Sequence, residues 1–419
     1  MNPKFENFFT EQGFSAQTPI QKEVYAPLAK GESVLGLAPT GSGKTLAYAL
    51  PLLEQLLPKD GTQLLVLAPS QELASQLANV IRPWAKLLEL NVLSLIGGAN
   101  VKRQIEKLKK HPEVVIGTPG RVLNLINDRK LKLHKIEAIV IDEADELLAQ
   151  AETLSDCREI VSHAPREASL SFFSATKAKI LDELPHWFGI EPLVFDVRKS
   201  DQTRGEVTHY LLETPQRKRI DTLRRLSQLE EFFALVFFKQ TASLNEAYEK
   251  LKHDHVKVAR LTSEQRQVER EQALRQLRKQ EVTLLLTTDV AARGLDIPKL
   301  PAVINYDLPK DKNTYIHRVG RTGRMGASGV VLNIGNEHDL RMFRQLVKDE
   351  GYALAPVYLY KRMLIEDKEL LAELKKDETK AIRVTKKKEK QAKQPEPAEK
   401  KRKKKRKRDQ KNKGKRKKK

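Results

Sequence analysis

The chain alternates short apolar runs with longer amphipathic segments, and it does so twice. That alternation is the pattern of parallel strands joined by crossover helices. In the first stretch the spacing predicts strands at Ser33–Leu37, Gln63–Ala68, Val92–Ile96, Val114–Gly117, Ala138–Ile141, Ser169–Phe173 and Leu193–Phe195. In the second it predicts Val207–Leu212, Leu235–Phe238, Val256–Arg260, Thr283–Thr287, Ala302–Asn305 and Gly329–Ile334. The polar, charged stretch Val197–Glu206 between them reads as a linker. The expected organisation is an α/β chain with a parallel-sheet domain over 1–199, a linker at 200–206 and a second parallel-sheet domain over 207–360. Met363, Leu370, Leu371 and Leu374 fall at helical spacing and predict a helical extension over 361–380. The twofold pattern hints that the halves are structural copies.

Charge placement sets the C-terminal tail apart from this body. The formal net charge is +22, but residues 381–419 alone hold 22 Lys+Arg against 4 Asp+Glu. The other 380 residues hold 55 basic and 51 acidic groups and are nearly neutral. The terminal polycation has almost no large apolar residues, so it cannot offset the entropy of folding and reads as disordered. Its flexible reach would be roughly 35 Å. Such one-sided charge suits a sequence-blind phosphate tether better than a solubilising tail. The longest apolar run, Phe232 to Phe238, is far short of the roughly 18 residues of a membrane helix. No secretion leader is read at the N-terminus, and the one cysteine, Cys157, fits a reducing, cytoplasmic setting.

Two motifs carry chemistry. Ala38-Pro39-Thr40-Gly41-Ser42-Gly43-Lys44-Thr45 follows a predicted strand and precedes a predicted helix. It fits the phosphate-loop template except that Ala38 stands at the first glycine position. Gly41 and Gly43 let backbone N–H groups curl around phosphate oxygens, and the following helix N-terminus favours anions. Lys44 would reach the β- and γ-phosphates, and Thr45 would offer a hydroxyl to Mg²⁺. The second motif is Asp142-Glu143-Ala144-Asp145, directly after the predicted strand Ala138–Ile141. A carboxylate at such a strand end faces the ligand crevice. Asp142 would hold Mg²⁺, directly or through water, and Glu143 would orient and deprotonate the attacking water. Alone, the tetrapeptide could equally be an acidic helix start; the upstream phosphate loop favours the catalytic reading.

At this point the sequence resembles the DEAD-box RNA helicase family, in its bacterial form, over about residues 13–335. The resemblance implies two RecA-like domains and an ATP- and Mg²⁺-dependent enzyme that binds RNA without sequence preference and locally unwinds it. Phe14 and Gln21, in the segment Gly13 to Gln21, would serve the adenine. The family's further upstream aromatic is not evident, since only twelve residues precede Gly13; Phe5 is the residue that could substitute. Ser174-Ala175-Thr176 resembles the motif coupling hydrolysis to strand separation, its hydroxyls bonding Asp145 and the second domain. In the Thr288 to Asp296 segment, Asp296 would bind the ATP ribose, while Thr288, Asp289 and Arg293 would face RNA or position the loop. In the His317 to Arg324 segment, Arg321 and Arg324 would reach the γ-phosphate from one helical face, and His317 would contact the acidic box.

The implied RNA contacts are Pro69, Gln71, Gly98, Thr118 and Arg121 in the first half, and Gln267 and Arg270 in the second. Three departures from the family pattern stand out: Gln71 where arginine is usual, Thr262-Ser263 where His-Gly is usual, and Glu146 to Gln150 in place of a Met-Gly-Phe segment. A missing phosphate charge weakens RNA binding modestly, and the basic tail would compensate. The competing readings are an ATP-dependent RNA clamp that rarely unwinds and a DNA helicase. A monomer is expected, with ribosome assembly, messenger decay and cold adaptation open as settings.

Overall fold

The computed structural model describes residues 1–376 apart from 98–100, 202, 204, 293–294, 296, 298–299 and 325. The first sheet contains β1 Val34–Leu37, β2 Leu64–Leu67, β3 Val92–Leu95, β4 Val114–Gly117, β5 Ala138–Asp142, β6 Ser169–Ser174 and β7 Leu193–Asp196. The second contains β8 Val207–Glu213, β9 Ala234–Phe238, β10 Val258–Leu261, β11 Leu284–Thr288, β12 Ala302–Asn305, β13 Gly329–Gly335 and β14 Leu354–Pro356. Both sheets are parallel throughout. Their orders are β3-β4-β2-β5-β6-β1-β7 and β10-β11-β9-β12-β13-β8-β14. Counted from each sheet's own first strand, these are the same order, so the two lobes are topological copies, as the twofold pattern hinted.

The strands are apolar on both faces because helices cover both faces. In β2, Leu64 and Val66 enter one core cluster while Leu65 and Leu67 enter the cluster across the sheet. In β11, Leu285 enters one cluster of the second lobe while Leu284 and Leu286 enter the other. With both faces buried, each strand reads as a short continuous apolar run.

The region after 350 differs from expectation. Leu354–Pro356 adds a seventh strand beside β8, and Tyr358–Tyr360 pairs antiparallel with Met363–Ile365. Met363 is therefore in a strand, and among the described residues the helical extension predicted from 361 begins only at residue 368. The two-residue turn puts Lys361 at φ 50°. Leu359 and Leu364 pack against the second lobe's core, so the lobe continues past residue 360. The coincidence of Met363 with the leucine spacing hid a hairpin rich in β-formers. The helix at 368–376 begins a separate unit at Asp367. The basic tail 381–419 lies outside the described residues. No helix among the described residues is long and apolar enough to cross a membrane.

At the linker, Val197 packs in the first lobe's core, and Gly205 N–H donates to Gly323 O of the second lobe at 3.1 Å.

Candidate active site

The phosphate loop runs from the end of β1 into the helix Lys44–Leu53, with Gly41 and Gly43 at φ 86° and 82°. Side chains other than glycine are strained there. Lys44 Nζ donates to Ala38 O at 2.8 Å and Pro39 O at 3.0 Å, which folds the ammonium back over its own loop. Burial lowers its pKa, against the pull of Asp142, Glu143 and Asp145. Thr40 Oγ1 and Ser42 Oγ are buried without a hydrogen-bond partner. Gln21, itself buried, caps its helix by accepting from Thr18 N–H at 3.0 Å and donates to Gly43 O at 3.2 Å. A glutamine amide used once as donor and once as acceptor keeps one of each, which is what an adenine edge requires. Phe14 is half exposed and leans on Phe9 with centroids 4.9 Å apart. Phe5 is fully buried against Trp84, so it is not free to stack on a base; the first lobe's core has claimed it.

The acidic box begins on the last residue of β5. Asp142 is 4% exposed. Its Oδ2 accepts from the Tyr48 hydroxyl at 3.0 Å and its Oδ1 from Glu143 N–H at 2.9 Å. Burial and the neighbouring Glu143 push its carboxyl up to about 6, with Lys44 opposing. Glu143 sits at φ 49°, ψ 49°, an uncommon conformation outside glycine, and Ala144–Leu147 turns away from it as a short helix. Its Oε2 is buried without a partner. Asp145 is nearly inaccessible; its Oδ2 accepts from Thr176 Oγ1 and pairs with His317 Nε2 at 2.9 Å. Burial would raise the Asp145 carboxyl, yet the charge and hydrogen bond of His317 and the Thr176 hydroxyl hold it below the usual range. Burial likewise opposes an imidazolium at His317, but Asp145 outweighs it and lifts the ring to about 9.

His317 belongs to the other lobe. It rides on the helix Lys312–Val319, whose start is capped by Asp311 accepting from Thr314 N–H at 2.8 Å. That helix stops at Val319, so Arg321 and Arg324 occupy the turn beyond it rather than one helical face; Gly323 at φ 67° breaks the helical path. Arg321 donates to Leu295 O at 2.7 Å and places Nη2 3.7 Å from Glu143 Oε1. Arg324 Nε donates to Gly320 O at 2.7 Å, and its side chain lies over Gly41. Across this junction, Ala149 and Gln150 of the departing segment line a cleft of about 410 Å³ together with Phe237, Asn313 and Arg318. Leu147 and Leu148 are buried in the first lobe's core.

Several implied roles change. Ser174 Oγ donates to Thr176 O at 2.7 Å, and neither hydroxyl of that motif reaches the second lobe; both are enclosed behind Asp145, and His317 makes the crossing. Of the two roles expected for Asp289, facing RNA or positioning its loop, the ion pair it makes fits the second. Asp289 is held bidentate by Arg318 at 2.6 and 2.8 Å. Arg318 also donates to Asn305 Oδ1 at 2.8 Å and Asp307 O at 2.7 Å and lies over the Phe237 ring. This buried arginine, which ties the Asp289 loop to the His317 helix, was missed by sequence reasoning. The only available signal was its place beside His317.

Arg270, expected at the RNA, is largely buried. It is 8% exposed, bonding Thr262 O at 2.6 Å, Ala291 O at 3.1 Å and, on the first lobe, Glu72 Oε1 at 2.7 Å. These three bonds tie Arg270 to acceptors on both lobes. Thr288 Oγ1 accepts from Ala291 N–H at 3.4 Å, inside the same loop. Among the first-lobe positions, Pro69 is half-buried, Gln71 opens the helix Gln71–Leu87 with its amide against Gly97, and Thr118 precedes the helix Pro119–Asn127. Arg121 donates from Nε to Gln104 Oε1 at 3.3 Å, leaving Nη2 buried without a partner. Gln267 opens the helix Gln267–Arg278. Its side chain, and Gly98, Arg293 and Asp296, lie outside the described residues.

Comparison with known proteins agrees with this geometry. Residues 18–184 match the DEAD/DEAH box helicase model and residues 217–326 the helicase conserved C-terminal domain model. The probable ATP-dependent RNA helicase YfmL of Bacillus subtilis is 42% identical over 82% of this chain and 91% of its own length. The DEAD-box ATP-dependent RNA helicase CshC of Bacillus cereus is 37% identical over 90% of this chain and 96% of its own. Among solved structures, S. cerevisiae Dbp5 bound to RNA and ADP BeF3 superposes with a TM-score of 0.76 at 26% identity, covering 85% of this chain and 94% of that one. Two parallel seven-stranded lobes, a split acidic and arginine centre and relatives matched over nearly their whole lengths lead to one conclusion: the chain belongs to the DEAD-box family of ATP-dependent RNA helicases.

Proposed function

We propose that this chain works as a two-part clamp in which ATP hydrolysis and RNA strain are tied to the same closure of two lobes. The lobes are taken as residues 1–199 and 207–366, joined through 200–206. The observation that carries the reading is the division of one charged centre between them: Asp145 to His317 at 2.9 Å and Glu143 to Arg321 at 3.7 Å. Neither lobe alone holds both sides.

In this reading Gln21 and Phe14 receive the adenine, and the loop from Thr40 to Thr45 receives the phosphates. Glu143 Oε2, buried and unpartnered, orients the attacking water and takes its proton as the water oxygen bonds to the γ-phosphorus and the bond from that phosphorus to the β–γ bridging oxygen breaks, releasing ADP and phosphate. Arg321 and Arg324 stabilise the charge that develops on the transferred group, and Lys44 turns from its loop carbonyls toward the phosphates. Asp296 and Arg293 are proposed for the ribose and the RNA. The residues present fit a divalent cation: Asp142 offers a hard carboxylate oxygen, Thr45 a hydroxyl, and the buried Ser42 hydroxyl lacks a partner. When bound, Mg²⁺ would neutralise phosphate charge there.

RNA would lie across Pro69, Gln71, Gly98, Thr118, Arg121, Gln267 and Thr288, followed by its backbone, which explains binding without sequence preference. Because both ligands favour the closed state, each tightens the other. The reading extends to a cytoplasmic monomer acting on structured RNA in ribosomal or messenger-decay assemblies. Its test is the ATPase rate with RNA and with DNA of equal sequence, beside duplex unwinding. RNA-selective stimulation with unwinding is expected; equal stimulation by DNA overturns the substrate assignment.

A further inference from the structure

Tyr48 lies one turn beyond Lys44 on the phosphate-loop helix and is fully buried. Its ring packs against Phe173 with centroids 5.1 Å apart. Its hydroxyl donates to Asp142 Oδ2 at 3.0 Å, while Asp142 Oδ1 takes the Glu143 N–H at 2.9 Å. Two donors on opposite oxygens fix the plane of the carboxylate as well as its position. One donor comes from the acidic strand's own backbone. The other comes from the helix that begins with Lys44 and Thr45.

Packing alone does not account for the phenol. A phenylalanine would fill the same space with no polar atom to satisfy. A buried hydroxyl carries a desolvation penalty that its hydrogen bond roughly offsets, so the O–H adds little to folding. What the O–H does alter is the acidic group at the centre of the site. Groups that bond the far side of a ligating carboxylate commonly govern its orientation and its affinity for a metal.

We propose that Tyr48 is a positioning residue: it locks the Asp142 carboxylate to the phosphate-loop helix, so that the cation-binding acid and the phosphate-binding Lys44 and Thr45 move as one body. This rests on the role given to Asp142 above. Tyr48 acts on the cation site through Asp142, and its hydroxyl also interacts with Thr45 on the same helix.

The test is Tyr48→Phe in the full chain. Four quantities are read: the Mg²⁺ concentration that half-saturates the Mg²⁺-dependent tightening of a fluorescent ADP analogue, Mn²⁺ binding by electron paramagnetic resonance with ADP present, the melting temperature, and kcat against KM for RNA-stimulated ATPase. Expected are an about tenfold rise in the Mg²⁺ and Mn²⁺ requirement and a comparable fall in kcat. Nucleotide affinity without metal, KM and melting temperature should hold. Tyr48→Leu, which removes ring and hydroxyl together, should show the same metal shift with a lower melting temperature, separating positioning from packing. Wild-type metal dependence and kcat in Tyr48→Phe would overturn the proposal, leaving the hydroxyl as a satisfied buried group. If the wild-type chain shows no Mg²⁺-dependent nucleotide binding, the Asp142 assignment itself falls, and this inference with it.

Discussion

Gly320 of the second lobe lies flush on Thr40 of the phosphate loop: a Cβ placed on Gly320 would come within 2.3 Å of Thr40 Oγ1. Gly320 has φ −63° and ψ 0°, a conformation any residue adopts, so the need for glycine arises only across the lobe boundary. Gly320→Ala should therefore fold normally and bind nucleotide on the first lobe. It should oppose closure by about 1–3 kcal/mol, roughly a five- to 150-fold shift of the equilibrium away from the closed state. A distance probe between lobes, read with RNA and an ATP analogue, checks this; wild-type closure would rule it out.

Glu143→Gln keeps shape and hydrogen bonding but removes the proton acceptor. ATP and RNA binding should persist while turnover falls by about 10²–10⁴-fold. Single-turnover hydrolysis beside equilibrium binding measures both, and normal turnover contradicts the assigned role.

His317 and Asp145 give closure a pH dependence. The closed-state imidazole rises to about 9, above its ordinary value near 6.5. Its contribution to closure is therefore complete below the ordinary value and is lost as pH rises through about 9. Asp145, held low, loses its share only as pH falls through its depressed value. RNA-stimulated ATPase should decline toward pH 9, and His317→Gln should be slower at neutral pH and flatter on the alkaline side. A wild-type alkaline limb in His317→Gln would place the titrating group elsewhere.

The Glu72–Arg270 pair at 2.7 Å should matter only when the lobes are closed. Glu72→Ala should weaken RNA affinity by about tenfold with an ATP analogue bound, given that a hydrogen bond to a charged group contributes about 1.5–3 kcal/mol. Affinity without nucleotide should be unchanged. Equal weakening in both states would return Arg270 to direct RNA contact.

Removing residues 381–419 takes away a net charge of +18. The RNA concentration for half-maximal ATPase should rise, and the salt dependence of RNA affinity should become shallower because fewer counterions are released. Unchanged RNA dependence would make the tail a bystander.

How much was legible in the sequence depends on how local each signal is. All strands of the two sheets except Leu354–Pro356 were readable because apolar runs buried on two faces announce themselves, and Lys44 and Asp142 because strand ends fix where loops open. Their long-range partners were not readable in the same way. Nothing near Arg270 in the chain points to Glu72, 198 residues away, and Arg318 acquires its role only when Asp289, Asn305 and Phe237 fold around it. A motif arginine looks exposed until its acceptors are found. The same limit applies to Tyr48, whose spacing reads as core and whose hydroxyl becomes informative only beside Asp142. The hairpin at Tyr358–Ile365 was hidden because three-residue strands carry too few side chains to show a period.

The most direct test of closure as the shared link is a thermodynamic cycle on Glu143→Gln, which holds ATP without consuming it. RNA affinity is measured with and without ATP, and ATP affinity with and without RNA. Each ligand should tighten the other by the same factor, about tenfold or more, and the effect should shrink in Gly320→Ala. Independent binding of the two ligands would contradict the clamp.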